Sequence, residues 1–204
     1  MAIFYVLLLI PLLMQHIMIE GYSLDYQKRN KKALTFFFCL LTLLVMLRHE
    51  SIGNDTENYI YYFNEFSWLS WQNLGDKGLE IGFAIFNKMV SLISKDPQVY
   101  LASAAFAVSA MIYPTYKRLC VDTSLTVVLY CLMSTFVMMF SGIRQMLAVG
   151  MGVLAYEFTR RHRFLPFLMT ALLSMTIHTS GFMLLVMYPQ SQIGRAVQQE
   201  CRDR

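Results

Sequence analysis

The run "QVYLASAAFAVSAMIYPTY", residues 98–116, decides the class of fold, because it is long, apolar and free of charged side chains. A bilayer core about 30 Å thick is crossed by about 20 apolar residues in an α-helix. The run has this length and is followed by "KRLCVD", where Lys117 and Arg118 are placed to reach a membrane surface. The sequence therefore predicts a membrane-spanning helix here.

The composition of the whole chain agrees with this prediction. Of its 204 residues 56% are hydrophobic and 15% are charged, whereas soluble domains are about 25% charged. Further apolar runs lie at residues 2–19, 33–47, 123–143, 145–158 and 164–188. We therefore predict an all-α fold, a polytopic integral membrane helical bundle with about six transmembrane helices. The net charge of +4 does not indicate nucleic-acid binding, because the basic residues lie in loops that flank the spans.

Two further segments depart from the pattern of long spans. In residues 81–94 the apolar side chains lie on one face, and Asn87, Lys88 and Ser91 lie on the other, which predicts an amphipathic helix along the membrane interface. Residues 190–204 form a hydrophilic tail directly after the last run. We interpret residues 1–189 as one membrane-embedded domain, and the tail as an unnatural end to a longer protein; a soluble tail is the alternative.

The basic loops predict the orientation of the chain, because Lys and Arg concentrate on the cytoplasmic side of membrane proteins. The basic clusters lie at residues 28–32, 117–118 and 160–163. All of them lie inside if residues 81–94 do not cross the membrane. The N-terminus, Arg48 and Arg144 then lie outside, and His178 lies in the outer half of its span. Three isolated titratable groups are thus predicted to converge on the outer membrane face.

Arg144 is the first candidate site residue, in "MMFSGIRQMLAVG", residues 138–150. The simplest interpretation is an arginine that anchors a helix end at the membrane surface. Its predicted position on the outer side is disfavoured for an anchor. A guanidinium is well suited to grip a phosphate or diphosphate through paired hydrogen bonds, and Gln145 adds a donor and an acceptor beside it.

The stretch "LRHESIGNDTENYIYYF", residues 47–63, supplies further candidates. Asp55 is placed to cap a helix, and Tyr59 lies on the aromatic face of that helix. A capped interfacial helix explains both residues, but it does not explain Arg48 at a second outer helix end. His178, in "SMTIHTSGF", is either a structural histidine bonded between helices or a general base for a hydroxyl group.

Together these motifs resemble the EpsG family of Wzy-like exopolysaccharide and O-antigen polymerases. Arg48 followed by "IGNDTENY", then "GIRQMLA", then "IHTSGFMLLVMYP" matches the family's order of motifs. The resemblance covers about residues 2–189, with Ile177 where the family has Phe and Gly181 where it has Ala. Because family members continue with several more spans, the resemblance implies that this chain is C-terminally truncated.

The resemblance implies a multi-pass protein of the cell membrane whose active face is outward. It implies a metal-independent, C-type glycosyltransferase without a cofactor, which joins oligosaccharide repeat units carried on undecaprenyl diphosphate. Arg48 and Arg144 would hold the diphosphate, and His178 would orient or deprotonate the acceptor hydroxyl. The other implied substrate-binding residues are Gln145, Asp55 and Tyr59. Polysaccharide export or chain-length proteins are the candidate protein partners.

Two other functions remain open from the sequence. A non-catalytic transporter or flippase component for lipid-linked sugars would use the arginines to bind a diphosphate and would leave His178 structural. A membrane acyltransferase would use His178 as a catalytic residue, but it would not need two outward arginines.

Overall fold

The computed structural model describes residues 24–133 and 135–203, which fold into helices with no β-strand among them. The α-helices are α1 (Leu24–Met46), α2 (Thr56–Trp68), α3 (Ile81–Ile93), α4 (Pro97–Leu119), α5 (Thr123–Leu132), α6 (Thr135–Ser141), α7 (Ile143–Arg160), α8 (Phe164–Ile177) and α9 (Leu184–Asp203). Short 3₁₀ helices lie at Trp71–Lys77 and Thr179–Met183. The all-α prediction is confirmed, and the span predicted at residues 2–19 lies outside the described residues.

Helix α4 confirms the helix predicted at residues 98–116. Its first turn is set by Pro97 at the first helical position and by Asp96, whose carboxylate accepts a hydrogen bond from Gln98 N at 2.8 Å. Within the described residues, α4 is the helix that is long and apolar enough to cross a membrane. Helices α5 and α6 together are also long and apolar enough, as one span that is bent by 45° between them.

Two predicted spans are wrong as continuous helices. The run at residues 123–143 divides into α5 and α6, with Met133 after the end of α5. The run at residues 164–188 breaks at His178, whose backbone is extended, with φ −151° and ψ 132°. After the break, Thr179 N donates to the Glu80 carboxylate at 3.1 Å instead of continuing α8. A tertiary hydrogen bond therefore replaces a helical one, and hydropathy does not reveal this.

Helix α3 turns its polar face towards the protein. Asn87 is fully buried, and Lys88 and Ser91 are also buried. On the other side Leu92 is 68% exposed and Ile93 is 80% exposed. The predicted helix is present, but its polar side chains bond inside the fold, for example from Lys88 Nζ to Ser67 O at 3.1 Å. Such an inverted helix is stable where the surroundings are apolar, because its outer face would be unfavourable in water.

The main core lies between α1, α4 and α5, where aromatic rings meet. The Phe38 and Tyr130 ring centres lie 5.0 Å apart, and Phe38 also contacts Tyr116 at 5.5 Å. Phe63 of α2 stacks on Tyr100 of α4 at 4.6 Å, and both side chains are buried. These aromatic contacts fix the segment between α1 and α3 against the rest of the bundle.

The basic clusters meet at one end of the bundle, which we call the Glu157 end. Glu157 pairs with Arg118 and with Arg161, the latter at 2.7 Å, which joins the C-terminal ends of α4 and α7. Asn30 Nδ2 donates to Val121 O at 2.8 Å, and Asn30 Oδ1 accepts from Thr123 N at 2.9 Å. The basic clusters predicted to share one membrane side therefore lie at the same end of the fold.

Glycine permits the close approach of α3 to α8. A Cβ built at Gly82 would lie 2.7 Å from Thr176 O and closer still to its hydroxyl oxygen. We predict that Gly82→Ala destabilises the protein by about 1–3 kcal/mol, because the backbone of α8 has to move. The measurement is thermal unfolding of the purified protein in detergent.

Gly75→Ala is the matched control, because a Cβ at Gly75 meets nothing within 4 Å. Its unfolding temperature should stay at the wild-type value. Equal unfolding temperatures for Gly82→Ala and Gly75→Ala would contradict the close α3–α8 contact.

Candidate functional site

Glu80 is the residue around which the candidate site is built. It precedes the first turn of α3, and its Oε1 accepts hydrogen bonds from Thr179 N at 3.1 Å and Thr179 Oγ1 at 2.9 Å. Its Oε2 accepts from Arg144 Nη1 at 2.8 Å. His178 Nδ1 lies 3.6 Å from Oε1. One carboxylate thus connects α3, α7 and the break after α8.

Arg144 lies in the first turn of α7, and its acidic partner comes from 64 residues earlier in the chain. The side chain is partly exposed, and the guanidinium lies 6.0 Å from the centre of the Phe83 ring. Its Nε is buried without a hydrogen-bond partner among the described residues. Arg144 therefore uses Nη1 for the carboxylate, and its charge remains partly open to solvent.

His178 lies at the helix break rather than within a continuous outward-going helix. Its Nδ1 is buried and has no hydrogen-bond partner in the part of the chain that the structure describes. Glu80 Oε1 lies 3.6 Å from this nitrogen, slightly beyond hydrogen-bond distance.

A cavity of about 320 Å³ opens beside Arg144. It is lined by Asp55, Asn58, Tyr59, Tyr62, Leu79, Phe83 and Arg144. Asp55 occupies the cap position of α2, but its carboxylate makes no capping hydrogen bond. Burial raises the pKa of Tyr59, against the opposing effect of the nearby Arg144 charge. The cavity therefore combines one cation, one carboxylate and several aromatic rings.

The remaining predicted site residues do not line this cavity. Arg48 is 4% exposed, donates from Nη1 to Met139 O, and lies 5.7 Å from the centre of the Phe140 ring. Burial lowers its pKa to about 10, so it still carries a charge at neutral pH. Gln145 points outward from α7 and is exposed. The structure thus brings together Arg144, Asp55 and Tyr59 at the cavity and links His178 to them through Glu80.

Glu80 is not among the site residues that the sequence predicts. It ends a long polar segment, and its partners lie far away in the chain. The available signal was its position directly before the apolar helix α3, where an acidic side chain interacts favourably with the helix N-terminus. Burial acts to raise the pKa of Glu80, but its own backbone N–H, Thr179 and Arg144 lower it below the usual value. The carboxylate is therefore ionised at neutral pH.

A known protein family matches the part of the chain that contains this site. The model of the EpsG family matches residues 31–195, which include Glu80, Arg144 and His178. The chain belongs to the EpsG family. Membership in the EpsG family supports a role in exopolysaccharide biosynthesis, and EpsG-family proteins are typically membrane-associated. No curated protein and no solved structure matches the chain.

Glu80 should stabilise this EpsG-family protein more than an ordinary surface carboxylate does. We predict that Glu80→Ala lowers the free energy of unfolding by about 1.5–3 kcal/mol, because Thr179 and Arg144 lose a charged partner. Denaturant unfolding in detergent measures the change. The matched control is Glu65→Ala, which removes an exposed pair with Lys77 at 2.9 Å and should cost about 1 kcal/mol or less. A cost for Glu80→Ala no greater than that of the control would contradict this role.

Proposed function

We propose that the protein is a polymerase-type glycosyltransferase of the cell membrane. It joins oligosaccharide repeat units carried on undecaprenyl diphosphate, at the outer membrane face. Membership in the EpsG family supports the reaction class. The observation that carries the proposal is the pairing of Arg144 and His178 through Glu80, beside the cavity. This arrangement offers a cation for a diphosphate and an imidazole for a hydroxyl within one site.

The proposed reaction uses these groups in a single displacement. The acceptor hydroxyl gives its proton to the neutral His178 imidazole, and its oxygen forms a bond to the anomeric carbon of the donor sugar. The bond from that carbon to the diphosphate oxygen breaks, and undecaprenyl diphosphate leaves with the electron pair. Arg144 stabilises the negative charge that develops on the leaving group. In this account the guanidinium has the role of charge stabiliser, and no metal is required.

The cavity beside Arg144 is the proposed position of a sugar ring. Tyr59 and Tyr62 present aromatic surfaces beside the buried Phe83, and Asp55 presents a carboxylate that is not used as a helix cap. Aromatic faces pack on the apolar side of a ring, whereas carboxylates accept hydrogen bonds from hydroxyl groups. We therefore assign Asp55 and Tyr59 to substrate binding. Gln145 is assigned to the same role at the exposed start of α7.

Arg48 has a different place in the proposal. Its guanidinium is buried against Met139 O and the Phe140 ring, close to the start of α7. In this position it supports the turn that presents Arg144. To hold a diphosphate itself, as the family motif implies, Arg48 would have to leave Met139. We retain it as the second candidate cation.

The membrane setting is also part of the proposal. The outward apolar face of α3 and the membrane-length helix α4 support an apolar environment. Arg144 and Glu157 lie near opposite ends of α7, about 20 Å apart at 1.5 Å per residue. Because the Glu157 end carries the basic clusters, the positive-inside rule places it in the cytoplasm. The Glu80 site then faces outward, where lipid-linked repeat units are polymerised.

The direct test is turnover of an undecaprenyl-diphosphate-linked repeat unit by the full-length protein in lipid nanodiscs. We predict that Arg144→Ala and His178→Asn each reduce the polymerisation rate by about 100-fold or more. The control is Arg160→Gln at the Glu157 end, which should polymerise at the wild-type rate. Wild-type rates in both Arg144→Ala and His178→Asn would overturn the mechanism.

A transporter component is the second candidate, because two helix pairs are interrupted. The α5–α6 pair is bent, and α8 is broken at His178 from the 3₁₀ segment that follows. Broken helices mark substrate sites in many transporters. We predict that His178→Asn keeps the affinity for the lipid-linked substrate, measured by fluorescence binding, but abolishes polymer formation. Binding of the lipid-linked substrate by the wild-type protein without any polymer formation would favour the transporter function.

A further inference from the structure

The Glu80 carboxylate faces two groups that its negative charge can stabilise, Arg144 and His178. Oε2 lies 2.8 Å from Arg144 Nη1, whereas Oε1 faces Thr179 and His178 Nδ1. A diphosphate held by both terminal nitrogens of Arg144 would use the donor that Glu80 now occupies. The bound anion and the carboxylate would also repel each other at this distance. The two cannot share Arg144 without cost.

We propose that Glu80 is a positioning residue that binds Arg144 before substrate arrives and turns to His178 when a diphosphate takes its place. The inference rests on the proposed function and deepens it, because it couples substrate binding to preparation of the base. It is supported by the buried Nδ1 of His178, which lacks a partner among the described residues and lies beside Oε1.

The chemical consequence concerns the proton on His178. A carboxylate at Nδ1 favours the tautomer that carries its hydrogen on Nδ1. The lone pair then lies on Nε2, where it can accept the proton of the acceptor hydroxyl. The resulting imidazolium is stabilised by the Glu80 charge until the proton passes to water. Displacing Glu80 from Arg144 thus frees the carboxylate for His178 at the stage when a base is needed.

Thr179 gives the carboxylate a fixed pivot during this exchange. Its backbone N–H and hydroxyl both donate to Oε1, so this oxygen stays beside residue 178 while Oε2 changes partner. Glu80→Gln preserves an oxygen that can accept both bonds but removes the charge. This variant therefore separates the effect of the Glu80 charge from that of its hydrogen bonds to Thr179. We expect it to fold as the wild type does.

The first test is binding of inorganic pyrophosphate to the purified protein by calorimetry. We predict that Glu80→Gln binds pyrophosphate roughly five-fold or more tighter than wild type, because the competing carboxylate charge is gone. A residue that merely holds Arg144 in place would give the opposite result. Unchanged or weaker binding in Glu80→Gln would overturn the competition. Glu65→Gln, in the exposed pair with Lys77, is the matched control and should bind as wild type does.

The second test uses ¹⁵N NMR of histidine-labelled protein, which needs no turnover. We predict that pyrophosphate increases the Nδ1–H tautomer of His178 in wild type but not in Glu80→Gln. A His178 signal in the Nε2–H form, unchanged by pyrophosphate, would overturn the inference.

Turnover then separates this inference from the proposed function. We predict that Glu80→Gln lowers kcat by about tenfold or more, and that this loss disappears in a His178→Gln background because the two residues act as a unit. An additive loss in the double variant would overturn the coupling. If the wild-type protein forms no polymer, but Glu80→Gln binds pyrophosphate more tightly and wild type shows the tautomer change, the polymerase is rejected and the Glu80 exchange is kept.

Discussion

The shared carboxylate of Glu80 is the interaction on which the site depends. It binds the guanidinium of Arg144 and both donors of Thr179, and it lies beside the imidazole of His178. These groups come from the start of α7 and from the break after α8, so a single side chain fixes the relative positions of α3, α7 and α8. A buried or half-buried charge is tolerated when it is paired and hydrogen-bonded, and each of these partners meets that need. The break at His178 follows from the same contact, because Thr179 bonds to Glu80 instead of extending the helix.

An apolar environment would explain the orientation of helix α3. Helix α3 buries Asn87 and Lys88 and turns Leu92 and Ile93 outward. In water this arrangement would expose apolar surface and bury polar groups, both at a cost in free energy. In a bilayer the same arrangement is favourable, and it leaves the polar atoms to bond inside the fold. The family's membrane association and the inverted helix therefore support the same interpretation.

The sequence predicted those features that depend on local composition. Helix α4 follows from the uncharged run at residues 98–116, and the common location of the basic clusters follows from charge distribution. The Glu80–Arg144 pair could not be predicted, because its members lie 64 residues apart and no local pattern links them. The amphipathic pattern of α3 was visible, but periodicity does not say which face meets the protein. Arg48 has the expected position at a helix end, yet its burial depends on Met139 and Phe140 from a distant segment.

The central claim is that the Glu80 site holds the diphosphate of a lipid-linked sugar. The most direct measurement is a cryo-electron microscopy structure of the full-length protein in nanodiscs with an undecaprenyl-diphosphate-linked oligosaccharide bound. The account predicts the diphosphate within about 3.5 Å of the Arg144 guanidinium, with the first sugar in the cavity beside Asp55 and Tyr59. Diphosphate density at the Glu157 end, against Arg118 and Arg161, would contradict it.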